Sequence, residues 1–149
     1  MVMGRSLVNI ISASPEETIV AGERIARLLH GGSVVALRGG LGSGKTYLTK
    51  GIARGLGITE EITSPTFTII SEYQGELPFY HIAAYRLGGD DDFIALGGED
   101  LLYGQGIAVI EWSERLPGTV PDNALIVEIE ITGENRRVIR ITAPGADYG

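Results

Sequence analysis

Residues 33–57, which read SVVALRGGLGSGKTYLTKGIARGLG, decide the fold of this chain. Residues 33–37 form a short apolar run that predicts a buried strand, and the pattern over residues 45–56 predicts a helix. Between the two, residues 39–46 match the phosphate-binding pattern G-x-x-x-x-G-K-[ST] in full. A strand, a glycine-rich loop and a helix in this order predict a P-loop.

The residue types in this loop explain what it is expected to do. Glycines let the backbone curl so that successive N–H groups point into one concavity, and the helix start adds partial positive charge. Lys45 is predicted to reach the β- and γ-phosphates of a nucleotide, and Thr46 to offer its hydroxyl to Mg²⁺. A chance glycine turn is the alternative, but strand, spacing and helix all agree with the P-loop. The predicted nucleotide-binding residues are Gly39, Leu41, Gly42, Ser43, Gly44, Lys45, Thr46 and Tyr47.

A phosphate site also needs a carboxylate for the metal or the attacking water. Residues 107–111 read IAVIE, so a buried strand is expected to place Glu111 beside the P-loop at the carboxyl edge of the sheet. We predict that Glu111 and Thr46 bind Mg²⁺ and that Glu111 and Lys45 are catalytic. The alternative is an ordinary surface glutamate at the end of a strand.

Three further features have two interpretations each. Residues 64–66 (Ser-Pro-Thr) could sense a γ-phosphate like a switch segment, or form a proline turn with capping hydroxyls. His81 could be catalytic, or be satisfied within a sheet. Trp112 could pack over the site, or fill the core.

The remaining pattern predicts one α/β domain over residues 1–149, with residues 143–149 frayed. A helix is expected after the N-cap Ser14, where Glu17 completes a capping box, and a second over residues 90–103. The other predicted strands span 6–12, 66–73, 78–87, 106–112, 125–132 and 137–142. The expected fold is a single P-loop NTPase domain whose mixed sheet has parallel core strands and antiparallel hairpins, flanked by helices.

Composition excludes several classes of protein. The 149 residues include no cysteine and two histidines, which rules out disulfide scaffolds, thiolate zinc sites and multi-histidine metal centres. No apolar run approaches the ~18 residues of a membrane helix, and the N-terminus lacks the layout of a signal peptide. A cytoplasmic protein without a membrane partner is therefore expected.

The net charge of −7 is unevenly distributed. Residues 1–58 carry seven basic and three acidic side chains, whereas residues 59–130 carry two basic and fourteen acidic ones. An acidic middle argues against unaided binding to nucleic acid, which needs clustered lysine and arginine. It is either a solvated face or a docking face for a basic partner.

Taken together, the motifs resemble one family. GGLGSGKT at 39–46, SPTF at 64–67, HIAAYRL at 81–87 and IEWSERLP at 110–117 occur in this order and closely resemble the TsaE family. These are the bacterial ATPases of the threonylcarbamoyladenosine tRNA-modification system. The P-loop is shared by many families, whereas the other three motifs make the resemblance specific.

The resemblance implies a function with partners. Such a protein binds ATP and Mg²⁺, hydrolyses ATP slowly and works with two proteins that transfer the threonylcarbamoyl group to adenosine in tRNA. It therefore meets tRNA only indirectly. By position, Lys45 and Thr46 match the P-loop lysine and metal-binding threonine, Glu111 matches the metal-site acid, and Trp112 matches its neighbouring tryptophan.

Three positions depart from the pattern of the resembled family. Gly40 and Tyr47 stand where the family usually has Asp and Thr, and Ala83 stands where its H-x-D-x-Y-R motif has Asp. Because alanine can neither bind Mg²⁺ nor orient water, ATP binding is expected to persist while hydrolysis is weak.

Other P-loop classes fit less well. A GTPase needs N-K-x-D to read guanine, and the sequence contains no such string. A small-molecule kinase needs a lid and arginine clusters that are lacking between the P-loop helix and the final hairpin. A nucleotide-binding adaptor without hydrolysis stays open because of Ala83.

Overall fold

The computed structural model describes residues 6–40, 42–62, 69–84 and 87–143. Strands and helices largely alternate along the chain. In order, they are β1 (Ser6–Ser12), α1 (Pro15–Ala26), β2 (Val34–Gly39), α2 (Lys45–Gly55), β3 (Ile70–Gln74), β4 (Pro78–Ala83), α3 (Asp90–Ala95), α4 (Gly98–Leu102), β5 (Ile107–Glu111), a 3₁₀ turn (Ser113–Arg115), β6 (Leu125–Ile131) and β7 (Arg137–Ala143).

Seven strands form one mixed sheet in the order β1-β7-β6-β2-β5-β4-β3. The P-loop strand β2 pairs in parallel with β5 and β6, and β5 pairs in parallel with β4. The β3–β4 and β6–β7 hairpins are antiparallel, and β1 joins antiparallel to β7. The predicted fold class, with parallel core strands and antiparallel hairpins, is confirmed. Among the described residues, no helix is long and apolar enough to cross a membrane.

Helices α1 and α2 cover one face of the sheet, and their apolar residues pack with those of the strands into the larger of the two apolar cores in the described part of the chain. The predicted cap of α1 is present, since the Ser14 hydroxyl accepts the Glu17 N–H at 3.1 Å. The Glu17 carboxylate accepts the N–H of Ala13 at 2.9 Å, one residue before the position that a capping box predicts. These bonds fix where α1 begins and hence how it approaches α2.

The opposite face is covered by α3 and α4 together with the segment after β5. Its core includes the fully buried Phe93 and Leu116. Phe93 packs so closely that a Cβ on Gly98 would lie 2.3 Å from its ring. Each face of the parallel strands is therefore buried, which matches their continuous apolar sequences.

The single helix predicted over residues 90–103 is wrong. Two short helices replace it, because Gly97 adopts φ 78°, a left-handed conformation that ends α3. The Gly97 N–H closes this end on the carbonyl of Ile94 at 2.9 Å.

Strand ends also differ from prediction. Strand β4 stops at Ala83, four residues before the predicted end, and β7 includes the buried Ala143, which was expected to fray. Residues 63–68, which include the first three residues of the predicted strand 66–73, lie outside the described residues, as do residues 144–149.

Candidate functional site

The glycine-rich loop joins the carboxyl end of β2 to the start of α2. Gly42 and Gly44 adopt φ values of 75° and 106°, which residues other than glycine rarely adopt. Gly39 is required for space, since a Cβ there would lie 2.7 Å from the Ser43 hydroxyl. Backbone conformation or space therefore requires glycine at three positions of the loop. The predicted strand–loop–helix arrangement is present. Leu41 lies outside the described residues.

Lys45 is the first residue of α2 and is only 7% exposed. Its Nζ donates a hydrogen bond to the Gly39 carbonyl at 2.6 Å. Burial lowers the pKa of Lys45 from 10.5, while the nearby charges of Glu111 and Glu114 raise it. The lysine is thus held at the loop, in an acidic environment that partly offsets its desolvation.

Trp112 lies against the site as well as against the core. The Lys45 Nζ is 4.0 Å from the centre of its ring, a cation–π geometry. Trp112 is also the one described residue other than glycine with positive φ, at 60°. This conformation turns the chain sharply after β5, which brings the indole back to the lysine. Both contacts considered for Trp112, with the site and with the core, are therefore present.

Glu111 ends β5 at the carboxyl edge of the sheet, as predicted. It is 7% exposed, and its register places it between Leu37 on β2 and Ala83 on β4. Its Oε2 is hydrogen-bonded to the Nε2 of His81, a fully buried residue two positions before Ala83. Glu111 is therefore not an ordinary surface glutamate at a strand end.

The ring of His81 is therefore bonded to the site residue Glu111, and not only packed within the sheet. Both side chains lie on the face of the sheet that α1 and α2 cover, because β4 and β5 are parallel and residues two apart share a face. The Nδ1 of His81 has no hydrogen-bond partner among the described residues. Sequence spacing did not indicate the His81–Glu111 contact, since the two residues are 30 positions apart.

Ala83 occupies the position beside Glu111 and is 1% exposed. A carboxylate at this position would share the edge of the sheet with Glu111. The methyl group contributes only packing.

The other predicted loop residues differ in exposure. Thr46 is half-buried in the first turn of α2, and Tyr47 beside it is 43% exposed. Ser43 is buried, and its hydroxyl has no hydrogen-bond partner among the described residues. Residues 64–66, the predicted switch segment, lie outside the described residues.

Arg137 is a site neighbour that the sequence did not indicate. It begins β7, yet its guanidinium donates to the carbonyls of Ser43 and Gly42 at 3.0 and 3.2 Å. The contact joins residues more than 90 positions apart, and it arises because β7 lies only two positions from the P-loop strand β2 in the sheet. No local motif could have revealed it.

Metal binding at this site would depend on few protein groups. No cluster of three or more His, Cys, Asp or Glu side chains suitable for a metal occurs in the described part of the chain. A magnesium ion in a phosphate site takes one or two protein ligands and completes its shell with phosphates and waters. The Thr46 hydroxyl and the Glu111 carboxylate are oxygen ligands of the kind that this ion prefers.

A sizeable cavity lies elsewhere. It measures about 410 Å³ and is lined by Arg38, Thr142 and several residues between Ser113 and Ile126, on the face of the sheet opposite α1 and α2. None of the P-loop glycines lines it. The candidate phosphate site is instead the glycine-rich loop at the start of α2.

Comparisons with known proteins identify the family. The sequence model described as "Threonylcarbamoyl adenosine biosynthesis protein TsaE" matches residues 12–139. A protein of Treponema pallidum (strain Nichols), named tRNA threonylcarbamoyladenosine biosynthesis protein TsaE, is 43% identical over 131 residues, which are 88% of this chain and 97% of that protein. Its namesake in Bacillus subtilis (strain 168) is 41% identical over 138 residues, 92% of this chain and 86% of that one.

A solved structure agrees with these relatives. The crystal structure of Bacillus subtilis YdiB superimposes with a TM-score of 0.82 at 36% identity, covering 97% of this chain and 90% of that chain. The fold, the motif order and the similarity over most of the length lead to the same result. This chain belongs to the TsaE family.

Proposed function

We propose that this chain binds ATP with Mg²⁺ and hydrolyses it slowly, in support of threonylcarbamoyladenosine biosynthesis on tRNA. One observation carries the nucleotide part of this proposal. The loop with Gly42 and Gly44 at positive φ leads into a helix whose first residue is the buried Lys45. Family membership and the names of the relatives support the tRNA part.

The loop residues have distinct parts in nucleotide binding. Backbone N–H groups at the start of α2 receive the phosphate oxygens, and the dipole of the helix favours their negative charge. Lys45 exchanges its 2.6 Å bond to the Gly39 carbonyl for a phosphate oxygen. A phosphate then compensates the buried positive charge of Lys45 with a full negative charge, whereas the Gly39 carbonyl supplies only a partial one.

Glu111 and Thr46 are the proposed magnesium ligands. When bound, the ion neutralises charge on the phosphates during transfer to water. His81 is bonded to the Oε2 of Glu111, so the Oε1 is the oxygen proposed to bind the ion. The hydroxyl of Thr46 lies in the first turn of α2, next to Lys45.

Hydrolysis is proposed to be weak. Ala83 stands in register beside Glu111, where the family motif H-x-D-x-Y-R places a second carboxylate. With one acid in place of two, fewer groups can hold the metal and orient the water. The same position supports the second candidate function, a nucleotide-binding adaptor that does not hydrolyse ATP.

The partners are proposed from the family. Two proteins that transfer the threonylcarbamoyl group would bind this chain and hold the tRNA, and the ATP cycle would support their turnover. The net charge of −7 fits indirect contact with tRNA. The same role places the protein in the cytoplasm.

A phosphate-release assay tests the proposal. Purified protein with excess ATP and Mg²⁺ is expected to release phosphate slowly, and Glu111→Gln to reduce that rate by about a hundredfold, because the carboxylate charge is lost. Phosphate release from labelled ATP can also be measured with excess unlabelled GTP or ATP as competitor. If GTP lowers this release as strongly as ATP does, the nucleotide specificity is a different one. Tight ATP binding without release would favour the adaptor.

A further inference from the structure

Arg137 contacts the P-loop from the far end of the chain. Its Nε donates to the Ser43 carbonyl at 3.0 Å, and its Nη2 donates to the Gly42 carbonyl at 3.2 Å. Its Nη1 donates to the carbonyls of Gly133 and Arg136 in the β6–β7 turn, at 3.2 and 3.0 Å. One guanidinium therefore connects two successive P-loop peptides to the hairpin turn.

These bonds constrain the direction of the loop peptides. In a trans peptide the C=O and N–H groups point in opposite directions, and the described chain contains no cis peptide. Holding the Ser43 carbonyl therefore directs the N–H of Gly44 away from Arg137. Holding the Gly42 carbonyl orients the N–H of Ser43, which closes a turn on the Gly40 carbonyl at 3.2 Å.

The loop needs such a constraint because of its composition. Its glycines permit the required curl but also permit many other conformations, so ordering the loop costs conformational entropy. A contact that fixes the loop before the ligand arrives reduces that cost at the moment of binding. The cation also offsets the partial negative charge of two carbonyls near the place where phosphates would bind.

We propose that Arg137 is a positioning residue that fixes the P-loop in its phosphate-binding conformation. It acts through the backbone of Gly42 and Ser43 and makes the loop depend on the β6–β7 hairpin. This inference rests on the proposed function insofar as the ligand is ATP. Its geometric part concerns the protein alone.

Three variants test this role. Arg137→Gln removes the charge and the fork of donors, and Arg137→Lys keeps the charge but cannot span two carbonyls. Arg140→Gln is the matched control, since Arg140 lies on the same strand and forms an exposed ion pair with Glu130 at 2.8 Å. All three are compared at a temperature at which their melting curves show them folded.

Equilibrium titration with ATP and Mg²⁺ gives the first readout. The Gln variant is expected to bind ATP about tenfold or more weakly, the Lys variant to lie between it and the wild type, and Arg140→Gln to match the wild type. ATP affinity unchanged in both Arg137 variants would overturn the proposal. So would an equal loss of affinity in Arg140→Gln.

Amide hydrogen exchange gives a second readout that needs no nucleotide. Exchange at residues 42–44 is expected to accelerate in Arg137→Gln and to stay unchanged in Arg140→Gln. If the wild type fails to bind ATP, the proposed function is wrong. The hydrogen-exchange result alone then tests whether Arg137 positions the loop. If Arg137→Gln does not fold, the Lys variant provides both measurements. Unchanged exchange at the loop would contradict the positioning role.

Discussion

At the scale of single residues, the site is a set of charges placed at the edge of a buried sheet. Lys45 is desolvated and contacts Trp112, and Glu111 is desolvated and contacts His81. Lys45 and Glu111 were predictable because they follow glycine and apolar patterns that are local in sequence. Their partners were not, because a lysine–indole or histidine–carboxylate contact depends on which strands are neighbours.

Lys45→Met tests whether the buried lysine contributes to ligand binding rather than to the free energy of unfolding. The folded state lowers the pKa of Lys45 below 10.5, so the unfolded chain binds this proton more tightly. The charged lysine therefore reduces the free energy of unfolding at neutral pH, and the reduction disappears as the pH rises through the lowered pKa towards 10.5.

Urea unfolding gives the measurement. Lys45→Met is expected to be more stable than the wild type by on the order of 1 kcal/mol near neutral pH, with the difference shrinking at alkaline pH. A variant clearly less stable than the wild type at neutral pH would show that Lys45 contributes mainly to folding.

Ala83→Asp tests the explanation for weak hydrolysis. A second carboxylate beside Glu111 is expected to raise the rate of ATP hydrolysis about tenfold or more and to lower stability without metal, since the two charges repel. Mg²⁺ should then raise the melting temperature of this variant more than that of the wild type.

Ala83→Asn is the matched control, because it has the same size without the charge. It should gain neither phosphate release nor stabilisation by Mg²⁺. Equal behaviour of the Asp and Asn variants would contradict a metal or water role for this position.

At the scale of elements, the P-loop helix is held by unusually close contact with α1. A Cβ on Gly51 would lie 1.9 Å from the Ile19 carbonyl oxygen, and one on Gly22 would lie 2.3 Å from that of Leu48. The two helix backbones therefore meet directly, and α1 fixes the direction in which α2 presents Lys45 at its first turn.

Gly51→Ala measures this contact. Alanine in a helix normally adds stability relative to glycine, so intrinsic propensity predicts a gain of about 1 kcal/mol. The steric conflict predicts instead a loss of about 3 kcal/mol or more in the free energy of unfolding. Gly40→Ala is the control and should be nearly neutral, because no atom lies within 4 Å of its Cβ position. A stable Gly51→Ala variant would contradict the described helix contact.

The elements also show where sequence patterns suffice. Strand β5 and the hairpin β6–β7 were predicted nearly to the residue, because apolar alternation and turn residues are local signals. The break at Gly97 was missed although two glycines stand there and Glu99 and Asp100, directly after them, form the acidic first turn that is typical of a new helix. The pairings of β1 with β7 and of β6 with β2 depend on contacts distant in sequence and had no local signal.

At the scale of the whole molecule, the acidic middle of the chain divides into structural and exposed carboxylates. Asp90 accepts bonds from Gly118 and Thr119, and Asp92 accepts the N–H of Gly88 at 2.7 Å. Asp91, Glu99 and Asp100 make no such bond within the described residues, and they are exposed, as is Asp92. Exposed apolar side chains accompany them, with Ile94 at 45%, Leu96 at 52% and Tyr103 at 71%. We expect a basic partner to dock on this part of the acidic region.

Charge reversal separates partner binding from nucleotide binding. Asp91→Lys, Glu99→Lys and Asp100→Lys are expected to weaken co-purification with the proposed transferase partners about tenfold while leaving ATP affinity unchanged. Glu61→Lys makes the same charge change at an exposed position next to Ile62, which packs in the α1–α2 core. An equal loss of partner and ATP binding, or an equal effect of Glu61→Lys, would argue against a docking face.

The most direct test of the central claim is calorimetric titration of the wild type and Lys45→Met with ATP in the presence of Mg²⁺. The P-loop account predicts saturable binding at one site in the wild type and a loss of at least a hundredfold in Lys45→Met, with both proteins folded. Equal affinity in the two proteins, or no binding by the folded wild type, would contradict it.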